Sequence, residues 1–218
     1  MREAFHEQLD SMFADLAAIS REVENAVHYA TDALMTGDAA KAEAVISADA
    51  QIDRAAEKVE ETAFSILSLQ QPVAGDLRTV VAALRMVSEL ERMGDLSVHV
   101  AKIARLRVPH LAVPDVLRPT MLQMGHVAQA MVAQLTTVIA SRDVASANEL
   151  DRMDDEMDKL RRTTFSELLT KEWSHGVEAA VDIALLGRYY ERIADHAVTV
   201  AQRVVFVVTG EQPETSGV

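Results

Sequence analysis

Helix-breaking residues are rare in this chain and stand about thirty positions apart, a spacing that leaves room for long helices and little else. Of 218 residues, 8 are Gly and 5 are Pro, and they gather in short breaks. Gly37-Asp38 stops one helical pattern, and Gln70-Gln71-Pro72-Val73-Ala74-Gly75-Asp76 is a turn. Pro109, Pro114 and Pro119 mark a linker with an abrupt entry to the next helix; Ser141-Arg142-Asp143 and Ser174-His175-Gly176 are further breaks. Glycine ends a helix and proline cannot continue one, while an aspartate just past the break caps the next. Asp38, Asp76 and Asp143 are the expected caps. Six helices are predicted, over 3–36, 38–70, 76–107, 115–141, 143–172 and 176–208. Each is ~40–50 Å long at the α-helical rise. Helices this long with short connections pack antiparallel to bury their apolar stripes. The fold class is all-α. Thr209 to Val218, with Gly210, Pro213 and Gly217, reads as a frayed tail.

The chain also repeats. Glu91-Arg92-Met93-Gly94-Asp95 returns as Glu191-Arg192-Ile193-Ala194-Asp195, and the breaks of the first half recur at similar offsets in the second. This predicts two tandem three-helix bundles: residues 1–108, a linker at 109–114, and residues 115–208, with 209–218 as a flexible tail.

Charge and composition narrow the function. Thirty-four acidic residues against 21 basic give a net charge of −13. Nucleic acid phosphates and anionic lipid both want a basic face, so neither is expected as a partner. The absence of cysteine removes disulfides, zinc fingers and iron–sulfur clusters. The N-terminal MREAFHEQLDSMF lacks the apolar stretch of a signal peptide, and the longest apolar run, Val204 to Val208, is far short of a membrane span. The expected compartment is the cytoplasm.

Acidic residues fall where apolar ones are expected. On the third helix, Leu77, Val80, Leu84, Val87, Glu91, Gly94, Val98 and Ala101 follow heptad spacing; Val177, Ala180, Ala184, Gly187, Glu191, Ala194, Val198 and Ala201 do so on the sixth. Each stripe thus carries a glutamate toward the bundle. A very small residue follows three positions later, so a neighbouring helix can come close. Asp95 and Asp195 lie one turn beyond their glutamates on the same face. The second helix carries Asp49 and Asp53, and the fifth Asp154 and Asp158, at the same spacing. With hairpin turns near residues 73 and 174, Asp49 and Asp53 stand 24 and 20 residues before the first turn, and Glu91 and Asp95 stand 18 and 22 after it. The second hairpin matches in the same way. Four carboxylates are therefore expected to converge in each half. Such an all-oxygen anionic site suits hard or borderline cations. The competing reading is a solvated charged face, since Glu57 and Glu61 extend the acidic stripe of the second helix.

Other polar residues carry less. His99 extends the Glu91–Asp95 stripe as a possible ligand, and His196 points about 100° from Asp195. His6, His28, His110, His126 and His175 are expected on surfaces. Arg92 and Arg192 read as surface arginines pairing with neighbouring acids. Arg78, Arg85 and Arg188 lie near the acidic stripes without a phosphate-pocket spacing. Met86, Met93, Met121, Met124 and Met131 read as core filler. No phosphate-binding loop, dinucleotide fingerprint or nucleophile elbow is present. Glu3–His6 and Glu172–His175 have the letters of a di-iron motif but sit at helix ends. A metalloenzyme, such as a phosphoesterase or oxidase using the same carboxylates, is therefore the weaker alternative to a non-catalytic adaptor.

The segment Leu69-Gln70-Gln71-Pro72-Val73-Ala74-Gly75-Asp76-Leu77-Arg78, followed by Glu91-Arg92-Met93-Gly94-Asp95, resembles the PhoU family of phosphate-transport regulators. So does Tyr190-Glu191-Arg192-Ile193-Ala194-Asp195-His196-Ala197. The resemblance covers nearly the whole chain and is closest to actinobacterial members. It implies a duplicated three-helix architecture and a cytoplasmic adaptor without catalysis, peripheral to the membrane through its partners. Those partners would be the ATPase subunit of the phosphate ABC transporter and the sensor histidine kinase of the phosphate two-component system. When phosphate is plentiful, the adaptor would hold the starvation response off. The family's Glu/Asp-x-x-x-Asp motif holds multinuclear metal clusters in some members. Here it falls on Asp49, Asp53, Glu91, Asp95, Asp154, Asp158, Glu191 and Asp195, with Fe, Zn, Mn or Mg as candidate ions. His99 and Thr199 stand where many relatives have Asn, which leaves metal identity and stoichiometry open. A homodimer is expected where a helical face is left apolar and exposed.

Overall fold

The computed structural model describes residues 2–211, with side chains from Phe5 onward. Six α-helices follow one another: α1 (Arg2–Thr36), α2 (Ala39–Gln70), α3 (Ala74–Arg107), α4 (Arg118–Ser141), α5 (Val144–Leu168) and α6 (Gly176–Thr209). Among the described residues there is no strand, and no helix is long and apolar enough to cross a membrane.

Local chemistry explains most of the boundaries. Asp38 and Asp143 cap α2 and α5 as expected, each accepting from two free backbone N–H groups. Gly37 and Gly210 close α1 and α6 in left-handed conformations that cost glycine little. Asp76 is not a cap. Gln71 and Ala74 take left-handed φ of 47° and 48°, α3 begins at Ala74, and Asp76 sits in its first turn. The fourth helix starts three residues later than expected, where the Pro114 carbonyl accepts from Leu117 and Arg118 and Pro119 enters the first turn. The fifth ends four residues early. Thr170 turns its hydroxyl onto the Glu167 carbonyl, and the Trp173 indole N–H bonds the Gly176 carbonyl, so 169–175 folds as a turn. Of the tail expected at 209–218, Thr209 ends α6 and residues 212–218 lie outside the described residues.

The first half packs α1, α2 and α3 on one another, and the second packs α4, α5 and α6. The halves meet through two pairs, α1 on α4 and α3 on α6. These four helices form a closed square, with α2 docked outside α1 and α3, and α5 outside α4 and α6. Burial follows that order. In α6, Ile183, Leu186, Tyr190, Ile193 and Val204 are fully buried, whereas α5 buries only a thin stripe of Ala147, Leu150, Met157 and Thr164. Met86, Met93, Met121, Met124 and Met131 all lie in the core. Leu77 and Val177, read as the first core positions of their stripes, are 41% and 81% exposed; each stands at the start of a helix, beyond the reach of its neighbours.

The α3–α6 pair is antiparallel and clamped at both ends. At one end Arg78 donates to the Val207 carbonyl at 3.2 Å, where the C-terminal dipole of α6 favours a cation. At the other, Arg107 grips buried Asp182 through two bonds of 2.6 and 3.0 Å and also reaches Glu178. The α1–α4 pair approaches closely at Gly125. There Thr31 donates to the Val27 carbonyl and shares a 2.8 Å hydrogen bond with Tyr190, tying α6 to the same point.

Candidate metal centres

Glycine at position 94 lets α2 settle against α3. A Cβ there would stand 3.2 Å from Ile52 Cδ1 and 3.3 Å from Asp49 Oδ1. Asp49 is thereby half-buried beside Glu91 and Asp95, with Asp53 more exposed. Burial first, then the charges of Asp53, Asp95 and Glu91, push the Asp49 carboxyl up to about 6. Glu91 is raised by burial and by Asp53 and Asp95. All four first-half carboxylates therefore lie within one another's field. Asp49 also borders a cavity of about 390 Å³ between α1 and α2, walled by Ala26, Tyr29, Val45, Ile52 and Val98. That apolar wall accounts for its desolvation.

The second half repeats the theme with a difference. Asp154 is half-buried and pushed up to about 6 by burial, then by Asp195 and Asp158. Asp195 is raised by burial and Glu191, partly offset by Arg188 and His196. Glu191, however, is already neutralised. It is 7% exposed and held by Arg161 from α5 at 2.7 Å and by Arg188 at 2.5 Å. Arg161 left no sequence signal as a partner, because a cross-helix contact depends on which way a long side chain leans.

The eight carboxylates thus fall into two groups, one on each outer hairpin. They share a field without closing on a point. Among the described residues, no group of three or more His, Asp or Glu side chains stands arranged to hold a metal ion. Mutual repulsion spreads uncompensated carboxylates, and both clusters retain more negative charge than their neighbours offset. The donor set fits a hard cation: oxygen only, crowded, and electrostatically costly without one. The stripe of α2 continues outward through exposed Glu57 and Glu61 as a wet face. The His99 ring stacks on Tyr189 at 5.3 Å and shares the lining of a small cavity with Asp95. His196 contacts Glu89 of α3 through Nδ1, a partner the sequence reading did not identify. His6, His28, His110, His126 and His175 are all exposed.

A duplicated scaffold of six α-helices with an acidic cluster on each outer hairpin defines a class of two-repeat helical-bundle proteins. The PhoU domain model matches residues 16–104 and 121–204, and the chain belongs to the PhoU family. It is 46% identical over 213 residues to the phosphate-specific transport system accessory protein PhoU homolog 2 of Mycobacterium tuberculosis, covering 98% of this chain and 100% of that protein. Homolog 1 of Mycobacterium leprae is 45% identical over 214 residues, at 98% and 96% coverage. Among solved structures, PhoU from Pseudomonas aeruginosa superposes with a TM-score of 0.87 at 29% identity, covering 95% of this chain and 100% of that one. The phosphate transport system regulatory protein PhoU from Streptococcus pneumoniae gives 0.86 at 25% identity, covering 96% and 99%.

Proposed function

We propose that this chain is a non-catalytic cytoplasmic adaptor of phosphate homeostasis. It couples the ATPase subunit of a phosphate ABC transporter to a sensor histidine kinase, and holds the starvation response off when phosphate is sufficient. What carries the reading is near-full-length similarity to accessory proteins of phosphate-specific transport, on a fold whose functional groups are clustered carboxylates. The outer hairpin ends supply surfaces for protein partners: Leu69 and Val73 at one, Leu169 and Val177 at the other, are largely exposed apolar side chains. Homodimer formation belongs to the same proposal, and the mass in solution tests it.

The acidic clusters would hold divalent or trivalent cations, among Fe, Zn, Mn and Mg. In the first half Asp49, Asp53, Glu91 and Asp95 would supply the oxygens. In the second, Asp154, Asp158 and Asp195 would do so, with Glu191 joining once Arg161 and Arg188 release it. Bound cations would cancel the repulsion within each cluster and stiffen the α2–α3 and α5–α6 hairpins for a partner.

Co-purification of the native chain with the transporter ATPase and with the kinase, at high and low phosphate, tests the adaptor role. Retention of either partner, varying with phosphate, is the expected result. Retention of neither at any phosphate level would remove the proposal.

A further inference from the structure

The duplication supplies an internal comparison for the seam between α1 and α2. The cavity of about 390 Å³ there runs on into a second of about 140 Å³, the two sharing Glu22 and Ile52. Together they form one groove from Asp15 to Tyr29 along α1, ~20 Å at the α-helical rise. Cross-helix ion pairs close it at both ends, Lys58 to Asp15 at 3.3 Å and Lys41 to Asp32 at 2.5 Å. The caps Asp38 and Asp143, and the cluster members Asp49 and Asp154, stand at one constant offset. That offset pairs each position of this seam with one between α4 and α5. Where the second half has Val127 and Met131 on α4 and Met153 and Leu160 on α5, the first has Glu22, Ala26, Ala48 and Ala55. Val127 and Met131 are buried, and Met153 and Leu160 pack against the core. Gln134, in the place of Tyr29, donates to the carbonyl of Ser146, in the place of Lys41, at 3.3 Å and ties α4 to α5. The second seam is thus filled by the chain's own side chains. In the first, three of the same places are alanine and the space is left open.

Missing side-chain volume leaves an apolar lining without contacts, and a groove between two helices accommodates a third laid along it. Its length takes about four helical turns. The fourth substituted place gives the occupant's charge. Glu22 borders both cavities, is exposed, and stands where the other half has a buried valine; Asp49 edges the larger cavity. The two lysines on the walls are engaged with Asp15 and Asp32, so the middle of the groove is negative. We infer that this groove docks a basic amphipathic helix of a partner protein. Leu or Met side chains at helical spacing on that helix would take the places that Met131, Met153 and Leu160 take in the second half. A lysine or arginine between them would meet Glu22. The apolar side chains then supply the affinity, and the central charge fixes the register and excludes acidic helices. The inference rests on the adaptor reading, which calls for protein partners, and gives one of them a surface away from the hairpin tips.

Fluorescence anisotropy with the full chain tests the inference, using a labelled helix of leucine and lysine, about 18 residues long, with every leucine on one face. Two peptides serve for comparison: one of the same composition with the leucines scattered, and one with the same leucine face and glutamate in place of lysine. The basic amphipathic helix should bind at least about tenfold more tightly than either. Ala26→Met with Ala48→Met, which copies the second half, should weaken it about tenfold or more with both acidic clusters intact. If that pair loses its fold, Ala48→Met alone, at an exposed position, should weaken it measurably. Glu22→Val should narrow the gap between the lysine and glutamate helices. Equal binding of the scattered and amphipathic peptides would mean a polycation on an acidic surface and would overturn the inference. So would no binding of the basic helix, or unchanged affinity in the folded methionine variants. Self-association of the chain that those variants abolish would make the occupant a second copy, and would overturn it equally. Co-purification separates this outcome from the adaptor reading. A wild-type chain that retains neither the transporter ATPase nor the kinase would remove that reading. With partners retained by wild type, a methionine variant that loses one of them supports the groove, and one that keeps both overturns it.

Discussion

Gly125 sets how closely the two halves approach. A Cβ at this position would fall 2.4 Å from Thr31 Cγ2 and 2.7 Å from its hydroxyl oxygen. Thr31 cannot swing aside cheaply, since its hydroxyl holds the Val27 carbonyl and the buried Tyr190 phenol together. Gly125→Ala should therefore destabilise the fold by about 1–3 kcal/mol, the range for overpacking a tight contact. Urea denaturation would show a lower midpoint. The companion change Tyr190→Phe removes only the phenol bond and should cost about 1 kcal/mol. Asp49 and Asp154 supply a pH signature. Both are pushed from 3.8 up to about 6 in the folded chain. Between those values the folded state binds more protons than the unfolded, so the contribution of these groups to stability falls as pH rises. It is fully present below about pH 4 and lost through about pH 6. Metal-free protein should thus melt at a higher temperature near pH 5.5 than at pH 7.5, and Asp49→Asn with Asp154→Asn should flatten the difference.

Elements begin and end where short-range chemistry dictates, and that is the level at which the sequence is most readable. Asp38 accepts from the Ala40 and Lys41 N–H groups at 3.0 Å each, and its cap sits directly behind Gly37. Asp38→Ala should cost about 1 kcal/mol, seen as a lower melting temperature. The same rule identified Asp143, because both aspartates follow a clear break. It failed at Asp76, where two left-handed residues ahead of the motif start the helix early. It failed again at the end of α5, where Thr170 and Trp173 trade helical bonds for side-chain bonds that propensity does not register. The level match of the acidic pairs was legible because an antiparallel hairpin converts distance from the turn into height. The counting gives height alone; how near the carboxylates come to one another depends on how each side chain leans, which it does not register. The Arg161–Glu191 and His196–Glu89 pairs were not legible, since each joins elements across register that only packing sets. Leu77 and Val177 kept the heptad period yet stand exposed, because periodicity reports a face and not whether a neighbour extends far enough to cover it.

At the scale of the molecule, duplication gives two hairpins of one design carrying two acidic clusters of unequal charge. The first has Asp49, Asp53, Glu91 and Asp95 with no arginine on any of them within ion-pair reach among the described residues. In the second, Arg161 and Arg188 already hold Glu191 at 2.7 and 2.5 Å. A cation arriving at the first cluster meets uncompensated charge, whereas one arriving at the second must displace two guanidiniums or do without Glu191. The first cluster should therefore bind divalent cations more tightly, and titration of metal-free protein with Mn²⁺ should resolve a tighter and a weaker class of site. Asp49→Asn with Asp95→Asn should remove the tighter class, and Asp154→Asn with Asp195→Asn the weaker. Arg161→Gln should bring the second class closer to the first by freeing Glu191. Elemental analysis of protein never exposed to chelator should show at least one metal equivalent, lost first from the first-half variant. Equal affinities in the two halves, or an Arg161→Gln variant whose weaker class does not tighten, would show that the guanidiniums leave cation binding unaffected. Lowering the pH toward 5 should erase the melting-temperature gain given by Mn²⁺. Protonated Asp49 and Asp154 would by then have relieved the same repulsion that the cation relieves at neutral pH.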